Sequence, residues 1–128
     1  MDTLLARDEF TRWLGLQIEE IALGYCRLRY TVREEMLNGF DIVHGGVVFS
    51  AADSALAFAC NSHGQLTVAL EVSISFTRPA RTGDRLLVEA REVYRGNKTG
   101  VYDIRTTNAD GELVAVFKGT TYQTSKTL

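Results

Sequence analysis

Val47-Val48-Phe49-Ser50-Ala51-Ala52-Asp53-Ser54-Ala55-Leu56-Ala57-Phe58-Ala59-Cys60 is the stretch on which the fold turns. Eleven of its fourteen residues are apolar, mostly alanine and other good helix formers, and Gly64 follows as a stop signal. A helix this apolar has to be covered on nearly every side. Its three polar residues, Ser50, Asp53 and Ser54, are spaced i, i+3, i+4 and predict one narrow polar stripe on a greasy cylinder.

Strands supply the cover. Upstream, two extended stretches from Leu16 to Val32 flank Gly24 and read as a hairpin. Downstream, Leu66, Val68, Leu70, Val72, Ile74 and Phe76 alternate with Thr67, Ala69, Glu71, Ser73, Ser75 and Thr77, the pattern of a strand with one buried face. Three more strands are expected near 85–94, 100–107 and 113–123, separated by the turn signals Thr82-Gly83-Asp84, Arg95-Gly96-Asn97-Lys98 and Asn108-Ala109-Asp110-Gly111. Residues 2–14 carry Leu4, Leu5, Phe10, Trp13 and Leu14 near the helical period and predict one short amphipathic helix. A hairpin, one apolar helix and four short-linked strands argue an α+β domain whose antiparallel sheet wraps the helix, with residues 1–128 as a single domain.

Composition narrows the function classes. At 128 residues the chain is one ordinary domain, and 45% hydrophobic with 23% charged residues is a globular balance. Fourteen Lys plus Arg against sixteen Asp plus Glu leave a net charge of −2, without the basic excess of a nucleic-acid or anionic-membrane binder. Cys26 and Cys60 form no C-x-x-C pair, and a reducing, cytoplasmic setting fits them. No apolar run approaches the roughly 20 residues of a membrane span. Of His44, Cys60, His63 and Cys26, only Cys60 and His63 have a useful local spacing for a metal site, so no metal is expected.

Chemistry concentrates around the start of the apolar helix. An aspartate on a helix built for burial needs a partner, a cap to make, a wet interface or a pocket. Gly46 stands seven residues before Asp53, about two helical turns and roughly 10 Å of rise, so both are expected to face one pocket. A helix beginning near Gly45-Gly46 offers free N–H groups and the positive end of its dipole, able to polarise a carbonyl oxygen. A bare Gly-Gly tight turn is the blander alternative. Asn38 in the same loop is suited to orienting a water or substrate, or to a local Asn-Gly turn. His44 is placed either as a base or, preferably, as a support of the loop.

The segment Asn38-Gly39-Phe40-Asp41-Ile42-Val43-His44-Gly45-Gly46, followed after six residues by Asp53, resembles the active-site segment of hotdog-fold acyl-CoA thioesterases, in particular the phenylacetic acid degradation group. The resemblance continues through Val72–Ala80, Gly83-Asp84, Gly96–Ile104 and Ala115–Gly119, covering roughly residues 13–123. It implies a hotdog fold and hydrolysis of acyl-CoA, with phenylacetyl and hydroxyphenylacetyl as the acyl groups. Asp53 would be the nucleophile or general base, the Gly46 N–H would polarise the thioester carbonyl, Asn38 would position the attacking water and His44 would support the loop. Where some relatives keep a hydroxyl one helical turn after the acid, this chain has Ala57.

The turns Arg78-Pro79-Ala80-Arg81 and Arg95-Gly96-Asn97-Lys98-Thr99 are candidate contacts for the coenzyme A phosphates, or else ordinary solvated turns. They fall at opposite ends of one strand, so a site between two subunits is expected. The resemblance implies the same: a homodimer whose seam the Ser50, Asp53 and Ser54 stripe would face, doubling again to a tetramer. Coenzyme A would be part of the substrate, with no separate cofactor. The competing readings are a hotdog dehydratase using His44 with an acid, and a non-catalytic acyl-CoA binding protein.

Overall fold

A computed structural model describes residues 1–128, the side chain of Asp2 excepted. The chain forms α1 (Asp2–Arg7), α2 (Glu9–Leu14), β1 (Gln17–Ala22), β2 (Tyr25–Thr31), α3 (Gly45–Cys60), β3 (Gln65–Phe76), β4 (Arg85–Arg95), β5 (Thr99–Thr107) and β6 (Leu113–Thr127). Single 3-10 turns at Glu34–Met36 and Asn61–His63 precede and follow the long helix. All strand pairings are antiparallel, in the order β1-β2-β4-β5-β6-β3. The sheet curls around α3, the hotdog architecture.

The apolar composition of α3 is explained by what covers it. Val48, Ala51, Ala52, Ala55, Leu56, Phe58 and Ala59 are buried, facing inner sheet residues such as Leu28, Val88, Ala90, Ile104 and Phe117. Close approach is built in by small residues. A Cβ added to Gly119 would come within 2.7 Å of Leu56 Cδ2, so β6 passes the helix where only glycine fits. Asn61 fixes the C-terminal end, donating to Ala57 O at 2.8 Å and accepting from Thr67 N at 2.9 Å.

Two expectations are corrected. The single N-terminal helix is two, because the backbone of Asp8 leaves helical geometry (φ −84°, ψ 79°) and its carboxylate accepts the N–H of Thr11 at 3.0 Å, so starting α2 afresh. The strict alternation along β3 is broken as well. A bulge between Ala69 and Glu71 changes the phase, so Ala69, opposite buried Thr121, shares the inner face with Val72, Ile74 and Phe76, while Val68 lies opposite Tyr122. Nor are all its apolar residues buried: Val68, Leu70 and Phe76 are 47%, 60% and 56% exposed on this edge strand, while Val72 and Ile74 pack against the core.

Candidate active site

The loop before α3 is a closed unit. Leu37 bridges Val43, Asn38 N donates to Ile42 O at 2.8 Å, and Asn38 Oδ1 accepts from Phe40 N at 2.8 Å. Asp41, at the tight point, takes φ +61°, a region that Asp and Asn tolerate better than other side chains. Asn38 thus spends its carbonyl oxygen on the loop, and its Nδ2 has no protein acceptor among the described residues. Val43 N–H donates to Ala80 O at 2.7 Å and so ties this loop to the turn after β3.

His44 is the N-cap of α3, and its Nδ1 accepts the N–H of Gly46 at 2.8 Å. Accepting through Nδ1 requires that nitrogen to be unprotonated, which leaves the ring proton on Nε2. The geometry also redistributes the expected roles, since the Gly46 N–H is already engaged. Among the described residues, the Gly45 N–H has no protein acceptor and stands at the positive end of a 16-residue helix. A side chain at Gly45 would meet the Phe76 ring at 3.1 Å, so the backbone is open there only because the residue is glycine.

Gly45 and Asn38 line a cavity of about 410 Å³ together with Phe76, Arg78, Pro79 and Val114. Asp53 does not line it. The carboxylate belongs to a second cavity of about 270 Å³, bounded by Leu4, Ala57, Cys60, Leu66 and Ala69. Gly45 and Asp53 stand eight positions apart on the helix, about 12 Å of rise, and line different cavities. Gly46, which the sequence expectation paired with Asp53, lines neither cavity.

The polar stripe also resolves differently. Ser54 is buried and shares a hydrogen bond with Thr11 Oγ1 of α2 at 3.0 Å, so it serves the packing of α2 on α3. Ser50 donates to Gly46 O at 2.7 Å. The stripe that its own sheet leaves uncovered is Gly46, Ser50, Asp53 and Ala57, at spacings of four, three and four. Asp53 sits on it half-buried, with no hydrogen bond or cation from the described residues, and burial pushes its carboxyl above the usual value. No cysteine competes as nucleophile: burial pushes the Cys26 and Cys60 thiols up to about 12.

The two basic turns lie at opposite ends of β4, as the strand length required. Arg78 pairs with Glu112 at 2.9 Å, Arg95 donates to Gln123 at 2.8 Å, and Gly96 N–H donates to Thr99 O at 2.7 Å. Ala80 is buried beside Pro79, and the carbonyl of Asn97 accepts from Gln123. Among the described residues the side chains of Arg81 and Lys98 meet no carboxylate, one at each end. His63, considered above as a metal ligand, instead contacts Glu92 Oε1 at 2.8 Å.

The family model described as the thioesterase superfamily matches residues 40–115, from the loop before α3 into β6. The chain belongs to the thioesterase superfamily. It is 40% identical over 121 residues to the acyl-coenzyme A thioesterase PaaI of Escherichia coli, covering 94% of this chain and 86% of that protein. The structure of the E. coli PaaI protein from the phenylacetic acid degradation operon superposes with a TM-score of 0.96 at 38% identity, covering 98% of this chain and 91% of that one. A Streptococcus mutans protein bound to acetyl-CoA superposes with a TM-score of 0.86 at 28% identity, over 89% of this chain and 92% of that one. Family membership makes the chain an enzyme of the thioester-hydrolysing class. Among its described residues no helix is long and apolar enough to cross a membrane.

Proposed function

We propose that this enzyme hydrolyses acyl-CoA thioesters to the free acid and coenzyme A, with phenylacetyl and hydroxyphenylacetyl as its acyl groups. The observation that carries the reading is the Asp53 carboxylate, held half-buried without a protein partner on the uncovered stripe of α3. Such a charge weakens the fold and gains nothing unless it meets a substrate. The E. coli relative's name and its place in a phenylacetic acid degradation operon support the acyl group. In such a pathway the enzyme would free coenzyme A from aromatic thioesters that are not consumed.

Two copies complete the site in this reading. Among the sheet's edges, β1 is short and carries Glu19 and Glu20, which protect it, whereas β3 runs twelve residues with exposed Val68 and Leu70. A two-fold pairing of β3 with a second β3 is antiparallel, so the Gln65 end of one meets the Phe76 end of the other. The Asp53 cavity of one chain, near the first half of β3, then faces the Gly45 and Asn38 cavity of its partner, near the last. The same pairing brings Arg95–Thr99 of one chain toward Arg78–Arg81 of the other, where Arg81 and Lys98 would meet coenzyme A phosphates. A further pairing of dimers into a tetramer extends the same reading.

Within that site the Gly45 N–H polarises the thioester carbonyl, and the Asn38 amide supports the attacking group. His44 holds the loop and the helix start by its Nδ1 bond to Gly46. Asp53 takes a proton from water as the oxygen adds to the carbonyl carbon, or adds directly to give an anhydride that water opens. In both routes the C–S bond breaks and the coenzyme A thiolate leaves. Label found in Asp53 after a single turnover in ¹⁸O-water establishes the anhydride route, with water opening the anhydride at the aspartyl carbonyl.

The decisive experiment is thiol release from phenylacetyl-CoA and hydroxyphenylacetyl-CoA by wild type and Asp53→Asn, with folding of the variant confirmed by its thermal transition. A loss of about a hundredfold or more is expected. Activity retained in the folded variant removes Asp53 from the chemistry, and a clear preference for short aliphatic thioesters removes the aromatic assignment.

A further inference from the structure

Beside Asp53 the structure holds more than a carboxylate. The 270 Å³ cavity runs from Asp53 along the second half of α3, where Ala57 and Ala69 leave room on its two sides and Cys60 lies deeper. A cavity of about 150 Å³ with apolar walls is enough for a benzene ring, so this one has the room for an aryl group. Its polar neighbours are already engaged: Asn61 bonds Ala57 and Thr67, and Thr67 Oγ1 donates to Gln65 O at 2.9 Å. An apolar acyl group is therefore the natural occupant.

The cavity has a definite outer wall. Leu4 of α1 and Leu66 of β3 line it, and the same two residues line a separate cavity of about 370 Å³ bounded by Met1, Thr3, Arg7 and Leu128. Leu4 and Leu66 are thus a partition between two adjoining spaces. Leu66 is fixed by its strand, its carbonyl accepting from Thr124 Oγ1 at 2.7 Å. Leu4 hangs on a six-residue helix whose first turn has no side-chain cap and which ends at the break before Asp8.

Resting on the acyl-CoA reading above, we infer that Leu4, backed by Leu66, sets the size of the acyl group this enzyme accepts. The carbonyl carbon lies at Asp53, the acyl group extends along Ala57 and Ala69, and Leu4 stops it. Neither leucine touches the reacting atoms. They determine specificity by volume alone, so changing them alters which thioester is used and leaves the chemistry of Asp53 in place.

The test is kcat/KM for butanoyl-, octanoyl-, hexadecanoyl- and phenylacetyl-CoA with wild type, Leu4→Ala, Leu66→Ala and Leu4→Phe. Opening the partition is expected to raise the hexadecanoyl to phenylacetyl ratio by about tenfold or more in both alanine variants, the scale on which pocket volume discriminates. Leu4→Phe is expected to move the preference the other way, toward butanoyl. A parallel fall for every thioester in the alanine variants, or unchanged ratios in all three, overturns the assignment while leaving the acyl-CoA reading intact. Leu66→Ala, which leaves α1 untouched, keeps the test sound if Leu4→Ala disturbs that helix. Absence of thiol release from all four substrates by wild type is a different result, which removes the acyl-CoA reading and the partition with it.

Discussion

Asp53 carries its cost visibly. Its folded-state pKa is raised by burial, so the folded protein favours the protonated form more than the unfolded chain does. The associated stability is fully present below the ordinary aspartate value near 4 and is lost as pH rises through the higher folded value. Asp53→Asn, which keeps the shape without the charge, is therefore expected to melt at a higher temperature than wild type at pH 7. The difference should shrink on acidification and vanish in the ordinary carboxylate range. A lower melting temperature for the variant at pH 7 would mean that the carboxylate has a stabilising partner. With Asp53 as the nucleophile or base proposed above, kcat/KM is expected to rise with pH as its carboxyl ionises, along a limb displaced above that of an ordinary carboxylate. The sequence announced this residue through its type alone, one acid on an apolar helix. It did not announce which glycine is free, because Gly45 and Gly46 are identical as letters and differ only in whether His44 Nδ1 has taken the N–H.

Helix starts are where short polar side chains decide the path of the chain, and Asp8 and His44 stand at two of them. Asp8→Ala removes the acceptor for Thr11 N–H and is expected to cost about 1 kcal/mol in urea unfolding. His44→Ala removes the acceptor at Gly46, and a similar loss of stability is expected together with lower kcat/KM, since the Gly45 N–H depends on the same turn for its direction. Activity unchanged in His44→Ala would detach the cap from the site, and abolished activity with full stability would restore the histidine as a base. Of the elements, α3 and the order of the four strands after it were legible from composition and turn residues. The break at Asp8 was not, because a helix-compatible apolar spacing continues across it while the cap is a local hydrogen bond. The bulge near Leu70 was hidden for a related reason: an unbroken alternation of letters does not say that one residue has been set aside and the faces exchanged.

At the scale of the whole molecule, the single chain holds the carboxylate in one cavity and the free helix N–H in another. In the reading proposed above a second copy closes that distance, as the two basic turns at opposite ends of one strand already lead one to expect from the sequence. That reading has a quantitative consequence in mixtures. Asp53→Asn destroys the acid of a site, and Gly45→Ala, whose Cβ meets the Phe76 ring at 3.1 Å, disturbs the donor. If each site takes its acid from one chain and its donor from the other, every mixed dimer has one site with both groups intact and one with neither. Equal co-expression gives about half mixed dimers, so about a quarter of wild-type sites should be active although either variant alone is nearly inactive. Were the site confined to one chain, no mixed dimer would hold an intact site and the mixture would be as inactive as its components. The same measurement after charge is placed on the exposed edge, as in Leu70→Lys, is expected to lose the recovered activity along with the dimer, read by light scattering, because a lysine on an edge strand opposes its pairing.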